Sequence, residues 1–449
     1  MIFYTCLLLS TPLEIGVCVI ACLIIVLSRF QEPTGNLGAV AWLMPTLFKC
    51  RLLTDSAGKT MSLKSSARSL MKLSALLCAN ACADESHVPQ SVKFDNGLTF
   101  TPTLQVSERY DDNFREVDRH VESSWITGLT PSFNLASNNG KRAFKLSYKA
   151  DSDTFHSSPK DDNTDHYLDG TARFEFNSRN RLKLDSGYKR VEDTATLDQH
   201  IENDKYTYTH AGGMYTYGAR TARGQIELSA DYSQMRYQNS DGINNDKERD
   251  ATALIGTFYF KVAPSTRALV ESRWTRFDYV SNTRLDNDTA ALLGGLSWDA
   301  TANTTGTVKI GAERKRYDDA TVGDKGGSLW EVGVDYKPRS YSTFTLKTHH
   351  SLDEGTNGAS AIDNLTTSLA WEHAWLERLS TVASVSHTTK EYQEVDREDK
   401  INRYGFLVKY QMRRWLGFDL GYRHGKENST VSDESYERNI YKLSITATL

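Results

Sequence analysis

The amino-acid sequence predicts an all-β protein: a transmembrane antiparallel β-barrel of about 18 strands, with short periplasmic turns and long acidic extracellular loops. Three observations support this fold class. Apolar and polar residues alternate along most of the chain from Gly97 onward, short and long connections take turns between the alternating segments, and no sustained helical period interrupts them.

The alternation is clear in the segment AFKLSYKAD, where Phe144, Leu146 and Tyr148 alternate with lysines at 145 and 149. The segments LKLDSGYK, IELSADY and WEVGVDYK repeat the pattern, and so do the last nine residues, YKLSITATL. Successive side chains of a strand point to opposite faces. Each segment is therefore predicted to be a strand of roughly ten residues with one apolar and one polar face.

The connections decide between a barrel and a soluble β-sandwich. Short connections such as SNNGK, NSRN and KPRS take turns with long acidic ones such as DDNFREVDRHVE (111–122), VEDTATLDQHIENDK (191–205) and NSDGINNDKERD (239–250). We count about nine long and about eight short connections, the arrangement of an outer-membrane barrel with tight turns at one rim.

Membrane physics agrees with this interpretation. A mean hydropathy of −0.51 is too polar for a bundle of membrane-spanning helices, whereas a closed sheet satisfies every backbone group in lipid and needs only one apolar face. Outer-membrane lipid is thus the first expected partner. Aromatic residues near strand ends suit the interfacial girdles of such barrels. They are Tyr110, Trp125, Tyr188, Tyr237, Trp274, Trp298, Tyr404 and Trp415.

The polar faces are predicted to line a hydrated lumen with charges of both signs. The inward-facing residues are Lys145, Lys149, Lys183, Lys189, Lys309, Lys347, Lys409, Arg423, Asp151, Asp185, Glu227, Asp231, Glu313, Glu331, Asp335, Glu372 and Asp419. A barrel of this width must line itself with polar groups whatever it does. No residue is therefore assigned as a selectivity filter.

The N-terminal part reads as a targeting region. From Met61 the sequence MSLKSSARSLMKLSALLCANACADES has a basic start, a short apolar core and small residues at Ala81 and Ala83. This predicts a secretory signal peptide at 61–83, cleaved before Asp84. Lipid attachment at Cys82 is the disfavoured alternative. All six cysteines precede residue 83, as expected if the mature protein resides in an oxidising envelope compartment.

The predicted organisation is a mis-assigned N-terminal extension (1–60), the signal peptide (61–83), a short periplasmic segment (84–96) and the barrel (97–449). Residues 1–83 contain seven basic and three acidic residues, which leaves 46 basic and 54 acidic residues and a net charge of −8 for the rest. This charge argues against nucleic acid as a partner.

Catalytic and cofactor sites are not predicted. The eleven histidines are scattered, and the adjacent His349 and His350 must face opposite sides of one strand. The acidic segment 151–165 lacks the Gly and the final Glu of a calcium loop. We therefore expect no enzyme activity, no cofactor and no metal.

The sequence resembles the putative β-barrel porin-2 family over about residues 95–449. The segments that carry the resemblance are ERYDDNF (108–114), TPSFNL (130–135), GLSWDATANTTGTVKIG (295–311) and VDYKPRSYSTFTLKT (334–348). Members of this family are outer-membrane barrels often encoded with exopolysaccharide synthesis genes. The resemblance supplies no catalytic residues.

The resemblance implies a pore in the outer membrane of a Gram-negative bacterium that assists passage of exopolysaccharide or capsular polysaccharide, supplied by a periplasmic export apparatus. A general diffusion porin for small solutes and a surface structural or adhesive barrel acting through its loops are the alternatives. The terminal strand is expected to pair with the first strand. It also resembles the signal read by the β-barrel assembly machinery, with Leu449 where that signal usually has an aromatic residue.

Overall fold

The computed structural model describes residues 91–95, 97–194, 202–242, 244–301, 303–431 and 433–448. The predicted extension at 1–60, the predicted signal peptide with its cleavage site before Asp84, and the terminal Leu449 lie outside the described residues. No helix in the described ranges is long and apolar enough to cross a membrane.

The described chain is built of β-strands, with short 3-10 turns in some connections. The strands are β1 (Val92–Lys93), β2 (Leu98–Asp111), β3 (Ser124–Asn138), β4 (Arg142–Phe155), β5 (Asn163–Asn177), β6 (Asn180–Asp193), β7 (Asp204–Tyr217), β8 (Gly224–Tyr237), β9 (Arg249–Ala263), β10 (Thr266–Tyr279), β11 (Asn287–Thr301), β12 (Thr304–Tyr317), β13 (Lys325–Arg339), β14 (Ser342–Glu354), β15 (Ala361–Leu376), β16 (Leu379–Tyr392), β17 (Arg397–Arg413), β18 (Leu416–Ser429) and β19 (Tyr436–Thr448). The 3-10 turns are Pro159–Asp161, Ser240–Gly242, Asn245–Lys247 and Thr283–Leu285.

All strands belong to one antiparallel sheet in which neighbours in sequence are neighbours in space. β19 also pairs with β2, from Ile440 opposite Asp111 to Thr448 opposite Thr103, so the sheet closes on itself. β1 pairs with β2 beyond the end of β19. The predicted closed barrel is confirmed, with β2 to β19 as an 18-strand wall.

The alternation of side chains separates an apolar outer face from a polar inner face. Leu146, Leu228 and Leu443 are exposed on the outside, where lipid takes the place of a protein core. On the inner face, Ser107 is buried and Lys309 is half-buried, and both side chains point toward the lumen. The inside and outside positions thus follow the sequence pattern.

The two kinds of connection lie at opposite rims, as predicted. Turns such as 178–179, 264–265 and 340–341 join strands at the periplasmic rim, and the longer connections, such as 112–123 and 238–248, lie at the extracellular rim. The strands of the wall, β2 to β19, have 13–17 residues, so the prediction of roughly ten was too short. The ends of the acidic segments pair with neighbouring strands and extend the wall beyond the apolar band.

The assignment of one residue, Tyr237, to the aromatic girdle of the outer face is wrong. Trp125, Trp274 and Tyr404 are exposed on the outer face as expected, but Tyr237 is 8% exposed and faces inward. It is the last residue of β8, on the same face as Met235, and it packs against Tyr206 with ring centroids 5.7 Å apart. Position near a strand end does not by itself decide which face an aromatic residue occupies.

Candidate pore constriction in the barrel lumen

The lumen wall carries charges that are largely paired with one another. On β10, β12 and β13, Arg273 donates to Glu331 at 2.7 and 2.9 Å and to Glu271 at 2.6 Å. Lys309 contacts both carboxylates, at 2.9 Å from Glu271 and 3.3 Å from Glu331. Two cations and two anions therefore neutralise each other along the wall from β10 to β13.

Other predicted lumen residues form shorter pairs. Lys149 lies 3.3 Å from Asp151, Lys183 lies 3.1 Å from Asp185, and Lys409 lies 3.7 Å from Glu372. These residues lie on the inner face as the alternation predicted. The structure adds that they offer a hydrated, hydrogen-bonding surface in which opposite charges meet at short range.

The β14–β15 hairpin departs from the plain barrel wall. Pairing between β13 and β14 stops at Trp330 opposite His350, although β13 continues to Lys325 and β14 continues to Glu354. Beyond that point β14 pairs only with β15, up to Glu354 opposite Ala361. The tip of this hairpin is thus not bound to β13 by main-chain hydrogen bonds and can deviate from the plane of the barrel wall.

Contacts of β14 show that the hairpin tip leans into the lumen. The backbone N–H of Leu352 donates to Glu313 at 2.6 Å, and Glu354 forms an ion pair with Lys315. The hydroxyl of Tyr279 also donates to Glu354, at 2.7 Å. All three partners project inward from β10 and β12, so the tip crosses the inner side of β13 to reach them.

The turn 355–360 completes this inward position. The hydroxyl of Tyr317 donates to the carbonyl oxygen of Ser360 at 2.8 Å. Ala359, Ile362 and Tyr392 form a buried cluster on the other side of the tip. The hairpin tip, defined as residues 351–362, is therefore held inside the extracellular half of the barrel, where it narrows the lumen.

A histidine occupies the gap that the hairpin leaves between β13 and β14. His350 stacks on Trp330 with ring centroids 4.2 Å apart, and its Nδ1–H donates to the carbonyl oxygen of Ser328 at 2.6 Å. Its Nε2 lies 2.7 Å from the Asp363 carboxylate. The side chain thus satisfies a backbone carbonyl of β13 where no strand partner pairs with it.

Side chains from other connections bridge the rim beside the hairpin. Lys325 at the start of β13 lies 3.0 Å from Glu394 in the β16–β17 connection. Arg284 in the β10–β11 connection lies 3.6 Å from the same carboxylate. Because β14 and β15 separate β13 from β16 in the sheet, these contacts cross the opening that the inward hairpin tip leaves at the rim.

Inward-facing aromatic residues end several strands at the extracellular rim. Phe155, Tyr237, Tyr279, Tyr317 and Tyr392 are the last residues of β4, β8, β10, β12 and β16, and each is 3–8% exposed. A ring that stacks on a passing sugar must present an open face, and these rings are covered. They instead hold the extracellular connections, as Tyr317 does for Ser360.

The first extracellular connection is also packed inward. Phe114 contacts Phe155 and Ile126, and Arg115 lies 2.6 Å from Asp161 and 2.8 Å from Glu122. The segment ERYDDNF thus supplies a buried aromatic residue to this connection. These contacts join the β2–β3 connection to the β4–β5 connection at the mouth of the barrel.

Metal and catalytic constellations were not predicted, and in the described ranges no group of three or more His, Cys, Asp or Glu could hold a metal ion. His349 and His350 face opposite sides of β14, as their adjacency requires: His349 contacts lumen-facing Glu331, and His350 stacks on outward-facing Trp330.

The hairpin constriction was missed by sequence reasoning. Its turn, GTNGAS, resembles any other polar connection, and its partner Lys315 lies 39 residues before Glu354. A weak signal exists in the small residues of this turn, since Gly355 lies where an added Cβ would be 2.1 Å from the carbonyl oxygen of Ala359.

The sequence profile of the putative β-barrel porin 2 family matches residues 97–449. The chain belongs to this family. The matched range coincides with the β-barrel from β2 onward and supports the resemblance found in the sequence. The porin-2 chain is therefore an outer-membrane β-barrel of porin type, in contact with membrane lipid, in a Gram-negative envelope.

Solved outer-membrane barrels are similar to the porin-2 chain in structure. Pseudomonas aeruginosa OccK2 (OpdF) has 10% identity and a TM-score of 0.46, with 80% of this chain and 99% of that chain covered. Acinetobacter baumannii OccAB3 has 13% identity and a TM-score of 0.44, with 79% and 99% covered. The Neisseria meningitidis FrpB iron transporter has 10% identity and a TM-score of 0.42, with 73% and 62% covered, so this chain spans under two thirds of FrpB. No curated protein matches the sequence.

Proposed function

We propose that the porin-2 barrel assists passage of a secreted exopolysaccharide or capsular polysaccharide across the outer membrane. A periplasmic export apparatus would deliver the polymer to the short-turn rim. The observation that carries the proposal is the lumen wall, in which charges of both signs are paired side by side, as in the cluster of Glu271, Arg273, Lys309 and Glu331.

A wall of this kind suits a sugar chain. Sugar hydroxyls form hydrogen bonds with carboxylates, ammonium groups and threonines, whereas paired charges exert little net attraction at a distance. Transport requires binding that is strong enough for entry and weak enough for release. An 18-stranded barrel belongs to the size class that can hold an aqueous channel. The family resemblance, with its link to exopolysaccharide genes, supports the same substrate.

The hairpin tip would control this route. It is held by side-chain contacts from β10 and β12, and its main-chain pairing with β15 remains independent of them. In this proposal the hairpin tip narrows the resting lumen and moves outward when polymer is transported.

Delivery to the membrane would use the β-barrel assembly machinery. β19 alternates apolar and polar residues and pairs with β2 as far as Thr448. A terminal strand of this pattern is the element that the assembly machinery is expected to recognise.

A general diffusion porin for small solutes is the second candidate. The inward hairpin favours it, because a narrowed lumen admits small solutes more readily than a polymer. A surface structural or adhesive barrel would instead act through the acidic segments 191–205 and 239–250, and trimming those segments would abolish its activity while the barrel persisted.

Gene deletion tests the proposal directly. Cell-associated and released polysaccharide would be measured in the deletion strain, in the strain complemented with the wild-type gene, and in one complemented with a protein trimmed within 191–205 and 239–250. We expect surface polymer to fall on deletion and to recover in both complemented strains. Wild-type polymer levels in the deletion strain, with no conductance of the purified protein in planar bilayers, would contradict export.

A further inference from the structure

Three basic side chains face the lumen on consecutive strands and have no counter-ion among the residues that the structure describes. Arg403 of β17, Arg423 of β18 and Lys442 of β19 all lie on the inner face, on the side opposite to the exposed Tyr404, Tyr422 and Tyr441. None of the three basic side chains forms a hydrogen bond or salt bridge with another residue of the described ranges. They form what we call the basic niche.

The strand register places the niche residues close together. Arg423 lies opposite Gly405, Arg403 lies opposite Gly425, and Lys442 lies opposite Gly421. Residues directly across an antiparallel pair have Cα atoms about 4.5–5.5 Å apart, and diagonal neighbours remain within reach of long side chains. The three cations therefore belong to one patch of the wall.

Glycines keep this patch open. Arg423 has Gly421 and Gly425 on either side of it along its own inner face, and Gly405 across from it. An added Cβ at Gly425 would meet no atom within 4 Å. The side chain of Arg423 is exposed, whereas those of Arg403 and Lys442 are half-buried. The niche is thus reachable by a group in the lumen.

Nearby acids are already engaged by other cations. Asp153 accepts two hydrogen bonds from Arg109, one of them at 3.0 Å. Asp111 accepts hydrogen bonds from Arg438, two of them at 3.0 Å.

The acids on the inner face of β18 are placed beside other cations. Asp419 lies directly across from Lys409, and Glu427 lies within electrostatic reach of Lys390. Unlike the paired wall around Glu271, the niche keeps an excess of positive charge.

We propose that the basic niche binds the anionic groups, carboxylate or phosphate, of an acidic polysaccharide in the lumen. The inference rests on the proposed export function and names the chemical class of its polymer. A guanidinium presents a planar fork that fits a carboxylate or phosphate through two hydrogen bonds, and Lys442 adds a mobile charge beside it. A bound anion also relieves the repulsion among the three cations.

Binding of oligosaccharides to the detergent-solubilised full-length protein tests the niche. Isothermal titration would compare tetragalacturonate with neutral maltotetraose. We expect tetragalacturonate to bind more tightly to the wild type, and its affinity to fall about threefold for each charge removed in R403Q and R423Q, the scale of an exposed charge pair. Inorganic phosphate as a competitor distinguishes a free-anion site from one that needs the sugar chain.

Lys347 provides the matched control. It faces the lumen from β14, away from the niche, and K347Q removes the same unit of charge. We expect K347Q to bind tetragalacturonate as the wild type does. Equal affinity of the wild type for the two oligosaccharides, or an equal loss in K347Q and R423Q, would overturn the niche. Slower migration of each variant after boiling in SDS verifies that it is folded.

The two proposals fail separately. Unchanged polymer export in the deletion strain, with selective tetragalacturonate binding retained, would reject export and keep the anion site. Loss of polymer in the deletion strain, with no preference for the acidic oligosaccharide, would reject the niche and keep export.

Discussion

Lys315 of β12 and Glu354 of β14 form an ion pair inside the lumen in which the two side chains are only 1% and 9% exposed. The pair joins strands that β13 separates in the sheet. Asn287 and Tyr279 donate to the same carboxylate at 3.0 and 2.7 Å. These contacts hold the hairpin tip on the lumen side of β13, against β10, β11 and β12.

Removing one member of this pair should release the hairpin tip. K315M leaves a buried carboxylate without its cation, a change that costs about 3–5 kcal/mol in comparable pairs. The hairpin can escape this cost by moving to solvent, so we expect higher single-channel conductance in planar bilayers with the barrel intact.

Two variants control this experiment. K315M/E354L replaces the pair by apolar side chains and should restore conductance close to wild type. K426M removes a cation from the exposed pair with Glu437, whose N–O distance is 3.6 Å, and should change nothing. Wild-type conductance in folded K315M would contradict a constriction by this hairpin.

A milder change at Tyr317 should give a graded effect. Y317F removes the hydroxyl that donates to the carbonyl oxygen of Ser360 at 2.8 Å, leaving a buried acceptor unpaired at a cost of about 1–3 kcal/mol. We expect more frequent open events than in the wild type and fewer than in K315M, measured by single-channel recording. Y215F, at an exposed tyrosine on the outer face, is the control. A Y317F trace identical to wild type would mean that this hydrogen bond does not hold the turn.

Barrel closure should produce heat-modifiable migration in SDS, with the unheated protein running faster. I445D places a charge on the lipid face opposite Val106 and Phe418. A lipid-facing charge is destabilising in proportion to its depth, by about 2–4 kcal/mol for Arg or Lys at mid-depth and by less for Asp. We expect I445D to reduce the folded fraction, whereas K442D on the lumen face should assemble. Equal folded fractions in the two variants would contradict the assignment of Ile445 to the lipid face and Lys442 to the lumen face.

The contact between two extracellular connections should depend on pH. Glu202 accepts hydrogen bonds from the Ser240 hydroxyl at 2.6 Å and from its backbone N–H at 2.7 Å. The hydroxyl contact holds the pKa of Glu202 below its usual range. A lowered folded-state pKa means that the contact is stable above the ordinary value of about 4.3 and is lost as the pH falls through the folded value.

Hydrogen exchange measures this pH effect. After correction for intrinsic rates, the amide of Ser240 should be more protected at neutral pH than in acid, and E202Q should remove the difference. Equal protection at both pH values in the wild type would show that Glu202 does not hold this connection.

Processing is tested on outer-membrane material. The small residues Ala81 and Ala83 predict a mature N-terminus at Asp84. N-terminal sequencing should return DESHVPQ, and A83R should slow cleavage while A79V should not. Peptides from residues 1–60 in the mature protein would refute the early-start explanation.

The sequence predicted the wall because alternation is local information. Lys442 and Leu443 are adjacent, and their opposite faces follow from strand geometry alone. Closure followed from the requirement that no backbone group remain unpaired in lipid. The basic niche was only partly visible, since Arg423 was placed in the lumen but its lack of a counter-ion depends on three neighbouring strands.

The constriction could not be predicted in this way. Glu354 looks like any acidic residue at a strand end, and its inward position depends on Tyr279 and Lys315, which lie on strands four and two places earlier along the chain. The prediction that Tyr237 lies on the outer face failed for the same reason, because its burial depends on Tyr206 and Val191. Pairwise packing across strands is set by the closed sheet, which an alternating pattern does not encode.

The histidine in the gap between β13 and β14 has a mechanical consequence. The ladder between these strands ends at His350, and the hairpin tip beyond it is tied to the far strands through side chains. An outward swing of the tip would exchange side-chain partners and leave the main-chain ladder of the lipid-embedded wall intact. Movement of the hairpin tip and closure of the sheet therefore depend on different contacts. The lumen would widen while the lipid-facing strands stay hydrogen-bonded to their neighbours.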